Sequence, residues 1–250
     1  MNAWLLEWRI EVLRNVRNRR YFIFTLLFPV GFYLLYVHLY GRDTHMGGMD
    51  WAEYFLISMS VFGVVGTGLN GNAVRVAIER TQGWASWMLT TPRPSLQAVT
   101  TKIAANVVVN AIAVGIMFCV GAFVEHVHMS IGQWLTCGLA TTFGALVFTA
   151  LGMLVGHVGG REAAQILASI VYFLISIAGG LWIPIQVLPP FFHHLALFMP
   201  TYRLADIAWS VVGLRTVHWA DIAVLFAYFV VFVGLSAWLS TRPREVRSVS

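Results

Sequence analysis

The stretch "FLISMSVFGVVGTGLNGNAV", residues 55–74, runs for 20 residues without a charged side chain. A helix needs about 20 apolar residues to cross the hydrocarbon core of a bilayer. The whole chain has the same character, since 58% of its 250 residues are hydrophobic and 11% are charged, whereas soluble domains carry roughly 25% charged residues. Its mean hydropathy is +0.74. The sequence therefore predicts an all-α membrane protein that crosses the bilayer several times.

Six segments are long and apolar enough to form transmembrane helices. They comprise residues 21–40, 55–74, 103–124, 134–157, 163–183 and 222–239. A further apolar segment, "VLPPFFHHLALFMP" over residues 187–200, is too short to span and is bounded by prolines. We expect it to form a re-entrant or interfacial element before the last span. Residues 1–250 are thus predicted to form a single transmembrane domain.

The basic residues predict the orientation of these spans, because cytoplasmic loops carry an excess of Lys and Arg. With the N-terminus inside, 13 of the 16 basic residues fall in the inner segments, and only Arg42, Arg203 and Arg215 fall in the outer ones. We therefore expect both termini, and residues 78–94, on the cytoplasmic side of a cell membrane. The net charge of +5 is explained by this topology and requires no nucleic-acid partner.

The segment before the first predicted span has two faces. In a helical projection of residues 1–20, Trp4 and Trp8 lie on an apolar side, while Glu7 and Glu11 point the other way. A basic amphipathic helix with Trp on its apolar side lies in the membrane interface. The pattern predicts an interfacial helix over residues 1–20 that contacts the lipid bilayer.

The segment "IERTQGWASWMLTTPRP" lies between the second and third predicted spans. Glu79 and Arg80 begin a helix predicted over residues 78–91, because the two prolines that follow make continuation unfavourable. Trp84 and Trp87 lie on one face of this helix. It is either an interfacial loop helix anchored by Trp, or a knob that docks in a groove on a cytosolic partner.

The charged residues argue against a self-powered transporter. None of the eleven Asp and Glu residues lies in the middle of a predicted span, whereas proton- and cation-coupled transporters usually need an ionisable group at membrane depth. The ATP-binding loop G-x-x-x-x-G-K-[ST] is also missing, since the one lysine, Lys102, follows threonines and precedes Ile103. We expect no cofactor and no enzymatic activity in this chain. ATP and Mg²⁺ for active transport would be bound by a separate subunit.

Histidines form the only candidates for a metal site. His126 and His128 lie beside Glu125, and His193 and His194 lie in the predicted re-entrant element. No third and fourth ligand follows at a recognisable spacing. We therefore predict no metal site and interpret these residues as interfacial or hydrogen-bonded histidines.

Amides and small residues are the remaining features of the spans. The main polar groups at membrane depth are Asn70, Asn72, Asn106 and Asn110. They either hydrogen-bond across helices or line a polar part of a transport pathway. Small residues recur at four-residue spacing, which allows helices to approach closely, either within one chain or in a dimer seam. These small residues are Gly63, Thr67 and Gly71 in the second span, and Gly152, Gly156 and Gly160 at the end of the fourth.

Two motifs carry a resemblance to a known family. The order E79-R80-…-G83-…-L89-x-x-P92 follows the second span, and "GGLWIPIQVLPPFFHHLALFMPTYRLADIAW", residues 179–209, lies between the fifth and sixth spans. The first resembles the cytoplasmic coupling segment of type-two ATP-binding-cassette (ABC) transporter permeases, and the second resembles their connection before the last span. This family includes small bacterial drug and lipid exporters. The interfacial helix, the six spans and the chain length agree with it.

The resemblance implies the permease subunit of an ABC exporter for a hydrophobic or amphiphilic compound, such as an antibiotic or a lipid-like molecule. A separate ABC ATPase would supply the energy, and a second permease copy or paralogue would complete a dimer around the pathway. The residues implied to contact the ATPase are Glu79, Arg80, Gly83, Trp84, Trp87 and Leu89. The implied outer gate is the re-entrant element with Pro184, Pro189, Pro190 and Pro200.

Two alternatives stay open at this stage. The same architecture could move a polysaccharide or a haem-related cargo, although apolar spans with few polar groups favour a hydrophobic cargo over a sugar chain. A different class of protein would be a non-transporting membrane scaffold or sensor, or a membrane enzyme. The sequence supports the exporter permease over both.

Overall fold

The fold is given by a computed structural model that describes residues 3–17, 19–40, 45–46, 48–82 and 95–240. Within these ranges the chain is a helical bundle with one short β-hairpin. In chain order the elements are α1 (Ala3–Arg17), α2 (Arg19–Tyr40), β1 (His45–Met46), β2 (Met49–Asp50), α3 (Trp51–Thr81), α4 (Ser95–Phe123), α5 (Ile131–Gly144), α6 (Leu146–Val155), α7 (Arg161–Ala178), a 3-10 turn (Ile185–Val187), α8 (Pro190–Leu197), α9 (Pro200–Val212) and α10 (Trp219–Ser240).

Several helices in the described part of the chain have the length and composition of membrane spans. They correspond to the second to sixth predicted spans and comprise Trp51–Thr81, Thr100–Phe123, Ile131–Val155, Arg161–Ala178 and Trp219–Ser240. The first predicted span coincides with α2, in which Leu26–Tyr40 forms a shorter apolar helix. The all-α membrane class is therefore confirmed. The total of six spans stays a prediction.

The helix that contains residues 55–74 extends further than predicted at both ends. It begins at Trp51, where the Glu53 carboxylate accepts a hydrogen bond from the Asp50 backbone N–H at 3.2 Å, and it continues to Thr81. Glu79 and Arg80 thus lie in the last turn of α3 and do not begin a new helix. The helix continues there because its polar side chains find partners inside the protein, as shown below.

The remainder of the predicted 78–91 helix, from residue 83 onwards, lies outside the described residues. This range contains Gly83, Trp84, Trp87 and Leu89.

The predicted re-entrant element over residues 187–200 is divided into separate pieces. The 3-10 turn and α8 take up most of it, and Pro200 opens a further helix, α9, which the sequence analysis did not predict. Proline is favoured at the first position of a helix, because its backbone angle already suits the helix and its missing N–H would have no partner there. Pro190 and Pro200 therefore start helices at positions where the sequence pattern had indicated only boundaries.

The short helix α9 is fastened to two spans. The Trp209 indole N–H donates to the backbone carbonyl of Tyr54 at 3.2 Å, and the two rings stack with centroids 4.6 Å apart. At the start of α10, the buried Asp221 carboxylate accepts a hydrogen bond from Arg203 at 2.5 Å. α9 is thereby held against α3 and α10, and most of its side chains are buried.

The centre of the bundle is α3, which packs against α2, α4, α6, α7 and α9. Its closest neighbour is α6. A Cβ atom added at Gly152 would lie 2.5 Å from the carbonyl oxygen of Leu69 and 2.6 Å from that of Gly68, and a Cβ at Gly156 would lie 2.6 Å from the carbonyl oxygen of Ala73. The four-residue spacing of Gly152, in α6, and Gly156, directly after it, therefore serves packing within the chain.

Replacing Gly152 by Ala should lower the thermal unfolding midpoint of the purified protein in detergent. The new methyl group has no space against the α3 backbone, and such overpacking costs about 1–3 kcal/mol. Scanning fluorimetry would measure the midpoint. The matched control is Gly115→Ala, because a Cβ at that helical glycine meets nothing within 4 Å. It should leave the midpoint unchanged or raise it, and equal destabilisation by both variants would contradict the proposed close approach.

Candidate functional site

Four charged side chains from three helices meet at the end of the bundle that carries α1. The Lys102 ammonium of α4 lies 2.7 and 2.8 Å from the two carboxylate oxygens of Glu79 and 3.1 Å from Oε1 of Glu11. Arg75 of α3 donates to the other oxygen of Glu11 at 3.0 Å. The four side chains are only 10–15% exposed. We call Glu11, Arg75, Glu79 and Lys102 the charge cluster.

The charge cluster keeps Glu11 ionised. Burial alone would raise the pKa of Glu11, but Lys102, Arg75 and Arg14 outweigh it and hold the pKa below its usual value. Since the folded-state pKa is the lower one, the resulting stabilisation is fully present above the unfolded-state pKa of about 4.3 and is lost as the pH falls through the folded-state pKa. At neutral pH, α1 is therefore held by a charged carboxylate.

The last turn of α3 is also tied to the chain that follows α6. The Arg80 guanidinium donates to the backbone carbonyl of His157, whose Nδ1 lies 2.7 Å from the carbonyl oxygen of Met153. Of the residues predicted to contact an ATPase, Glu79 and Arg80 thus already have partners within the chain. The other predicted contacts fall in the undescribed range named above.

Three of the four predicted polar residues join α3 to α4. Asn72 and Asn106 exchange hydrogen bonds through their amides, at 3.2 and 3.1 Å, and the Asn106 amide also donates to the carbonyl of Lys102. Further along the helices, the Thr67 hydroxyl donates to Asn110 Oδ1 at 2.9 Å. For Asn72, Asn106 and Asn110, the structure supports hydrogen bonding across helices, one of the two interpretations that the sequence left open.

Asn70 has a different environment, in an open groove of about 680 Å³ between α2, α3 and α7. Its side-chain oxygen accepts a hydrogen bond from Ser169 at 3.5 Å, and Ser169 accepts one from Gln165 at 3.2 Å. The groove therefore has a polar end made of neutral groups. Among the residues whose side chains the structure describes, its lining is uncharged and comprises Leu27, Phe28, Pro29, Gly31, Phe32, Leu35, Gly66, Asn70, Gln165, Tyr172 and Phe173.

Aromatic rings that pack against one another form one wall of the groove. The Phe28 and Phe32 rings lie 4.5 Å apart, and Phe32 lies 5.0 Å from Trp182. Tyr172 stacks on Phe62 at 4.5 Å and donates its hydroxyl hydrogen to the Phe62 carbonyl at 3.1 Å. The groove can accommodate a flat or elongated apolar body, with hydrogen-bonding groups at one end.

The predicted gate prolines lie at the end of the bundle opposite to α1. Pro184 is buried next to the 3-10 turn, Pro189 and Pro190 are exposed at the start of α8, and Pro200 is buried at the start of α9. They occupy one connection and differ in burial. Their role as a gate stays a prediction.

Of the histidines named in the sequence analysis, His193 lies in α8, where its Nε2 is 3.1 Å from the Leu188 carbonyl oxygen. The Glu125 carboxylate, which precedes His126 and His128, lies 3.7 Å from His38 of α2. Among the described residues, no group of three or more His, Cys, Asp or Glu side chains is arranged to hold a metal ion.

Sequence reasoning did not find the charge cluster or the groove. Two sequence features pointed towards the cluster: Glu11 lies on the polar face of the N-terminal helix, and Lys102 is the one lysine of the chain. Their partners could not be identified, because Glu11 is separated from Arg75 by 64 positions and from Lys102 by 91. For the groove, the spacing of Gln165, Ser169 and Tyr172 on one helix face was the available signal.

These features define a multi-pass helical membrane protein with an aromatic groove, uncharged over its described lining, and a charged junction of helices at one end. Residues 42–240 match the family model described as ABC-2 family transporter protein. The chain therefore belongs to the ABC-2 transporter family, as the resemblance had indicated. Membership implies a transporter permease in a membrane, with an ABC ATPase as partner.

The chain is similar to a curated protein of Bacillus subtilis (strain 168) named "Putative transport permease YvfS". The two are 29% identical over 236 residues, which cover 94% of this chain and 96% of the relative. The similarity thus extends over nearly the full length of both proteins.

The Asn72–Asn106 pair should show energetic coupling in a double-mutant cycle. Each single Asn→Leu variant leaves a buried amide without its side-chain partner across the helices, whereas the double variant removes both amides. The double variant should therefore lower the free energy of unfolding by less than the sum of the two single variants. The expected coupling is about 0.6 kcal/mol and at most about 1.7 kcal/mol, measured as unfolding free energies in detergent. The control cycle pairs Asn70→Leu with Asn106→Leu, which should be additive. Equal coupling in both cycles would contradict the assigned pairing.

Proposed function

We propose that this chain is the permease subunit of an ABC exporter that moves a hydrophobic or amphiphilic compound outward across the cell membrane. The observation that carries the proposal is the groove between α2, α3 and α7. A family member of this kind needs a surface for its cargo, and the groove combines an aromatic wall with a neutral polar end.

The lining of the groove supports the choice of cargo. Burying a charged group in an apolar site costs much free energy unless the group is paired, and the described side chains that line the groove are all uncharged. A polysaccharide would need many hydrogen-bonding partners along its length, whereas the described part of the groove offers them at one end, near Asn70, Ser169 and Gln165. An amphiphile with one neutral polar group fits both properties.

The energy source in this proposal is an ABC ATPase on the cytoplasmic side. The chain lacks the lysine-containing ATP-binding loop, and the excess of basic residues in the predicted inner segments places the α1 end of the bundle in the cytoplasm. The ATPase would contact residues 79–89, and Gly83, Trp84, Trp87 and Leu89 would form most of the contact. Glu79 and Arg80 would hold the base of this segment on α3.

The pathway in this proposal lies between two permease chains, identical or paralogous. The re-entrant connection with Pro184, Pro189, Pro190 and Pro200 would close it on the outer side. Nucleotide-driven movement of the ATPases would reach α3 and α4 through the segment that joins them, because a rigid contact is required to transmit such a movement.

Purification of the tagged chain from its native membrane should bring down an ABC ATPase. The double variant Trp84→Glu, Trp87→Glu should lose this ATPase, since losing two buried aromatic anchors typically costs 2 kcal/mol or more, that is roughly 30-fold in affinity. Quantitative immunoblotting would measure the ratio of the two subunits. The control is Trp219→Glu, an exposed Trp at the opposite end of the bundle. Retention of the ATPase and of transport by the double variant would overturn the predicted contact.

Filling the groove should abolish transport and leave the complex intact. Gly31 lines the groove, and a Cβ there meets nothing within 4 Å, so Gly31→Phe should place a ring in the open space. The assay is the susceptibility of a deletion strain to a panel of hydrophobic antibiotics, with and without each variant. Gly115→Phe is the matched control, because that glycine also has open space but lies outside the groove. If G31F exports as the wild type does, the groove is not the cargo site.

A further inference from the structure

The helix α1 is held to the rest of the protein by charges. Its outward side is apolar, and Leu6, Ile10 and Leu13 are exposed there. The helical projection had indicated an apolar side around Trp8, which is only partly exposed. Its inward side packs mainly on α4 and carries the buried Glu11. An exposed apolar side suits the membrane interface, where it contacts lipid. The contacts of the inward side therefore determine whether α1 moves with the bundle or independently of it.

Glu11 connects α1 to two spans at once. One carboxylate oxygen binds Arg75 of α3 and the other binds Lys102 of α4. Lys102 in turn bridges to Glu79 of α3, and Arg14 of α1 lies 3.6 Å from the same Glu79 carboxylate. α1 is thereby fastened to the facing ends of α3 and α4.

The charge cluster has the properties of a switch with two states. Removing one partner from a buried ion pair leaves an uncompensated charge, which is far less favourable than the intact pair. Partial opening is therefore disfavoured, and the cluster is either closed, with α1 bound, or open, with its charges hydrated. Elements with two discrete arrangements are the ones that transmit movement between distant parts of a protein.

We propose that Glu11 is a positioning residue that latches α1 onto α3 and α4, so that α1 and the adjoining ends of both spans move as one unit. The latch is a property of this chain alone. Its consequence, that ATP-driven movement of α3 and α4 is coupled to α1 in the membrane interface, rests on the proposed function.

Two substitutions separate the latch from ordinary packing. Glu11→Gln keeps the shape of the side chain but removes the charge that binds Arg75 and Lys102, while the Lys102–Glu79 pair between α3 and α4 and the Arg14–Glu79 contact stay. Lys102→Met removes the contacts of Lys102 with both Glu11 and Glu79 and leaves Arg75 on Glu11. The first variant should therefore release α1 alone, and the second should loosen α1 together with the ends of both spans.

Hydrogen–deuterium exchange of the full-length protein in lipid nanodiscs tests this pattern. In E11Q, amides of residues 3–17 should exchange about tenfold faster, with residues 75–81 and 100–106 unchanged, because the lost contact belongs to α1. In K102M all three regions should exchange faster, and K102R should resemble the wild type. The matched control is Glu162→Gln, the same chemical change at an exposed glutamate of α7. If E11Q elutes as an aggregate, E11D replaces it, since its shorter side chain cannot reach both cations.

The possible outcomes separate the latch from the proposed function. Wild-type protection of α1 in E11Q and in E11D overturns the latch, whatever the transport activity. If α1 is released and the copurified ATPase loses cargo-stimulated ATP hydrolysis but keeps its basal rate, the coupling role is supported. If α1 is released and stimulation is unchanged, that role is overturned. Absence of any ATPase from the wild-type preparation contradicts the proposed function and leaves the exchange result valid.

Discussion

Asn72 lies near the middle of the bundle on its central helix, where a buried amide must be hydrogen-bonded within the protein. Asn106 of α4 meets this requirement, and the same pair of helices repeats the arrangement in both directions, with Thr67 against Asn110 and Glu79 against Lys102. The three pairings follow one antiparallel register. Sliding α4 along α3 would leave buried polar groups unpaired at every level, so these contacts determine how the two helices are aligned.

A second side of α3 packs against α6 through glycines. Gly152 of α6 and the adjoining Gly156 let the two backbones touch, which makes α3, α4 and α6 a closely joined unit. At Gly66 and Asn70, α3 instead lines the groove beside α2 and α7. The closely packed α3–α4–α6 unit and the groove therefore lie on different sides of α3. In the proposed exporter, the groove would hold the cargo and the packed unit would transmit the movement.

Polar chemistry is distributed unequally between the two ends of the bundle. The α1 end holds the charge cluster, whereas the opposite end is held by the Tyr54–Trp209 stack and by separate ion pairs, among them Arg203–Asp221 and Arg215–Asp206. In the proposed exporter, the charged end faces the ATPase and the aromatic end faces the outside. A network of buried charges suits the end that must respond to ATP, because opening it partially would leave uncompensated buried charges.

Sequence alone determined the membrane class and the approximate position of the spans, because length and apolar composition are local properties of the chain. It also indicated the ABC-2 family through two short motifs. It did not predict α9, or that α3 continues through Glu79, because both depend on partners supplied from elsewhere in the chain. Only the tertiary structure decided that Asn70 and Asn72, two residues apart, face a groove and a neighbouring helix respectively. The physical reason is that burial and hydrogen-bond partners are long-range properties, set by how the helices pack.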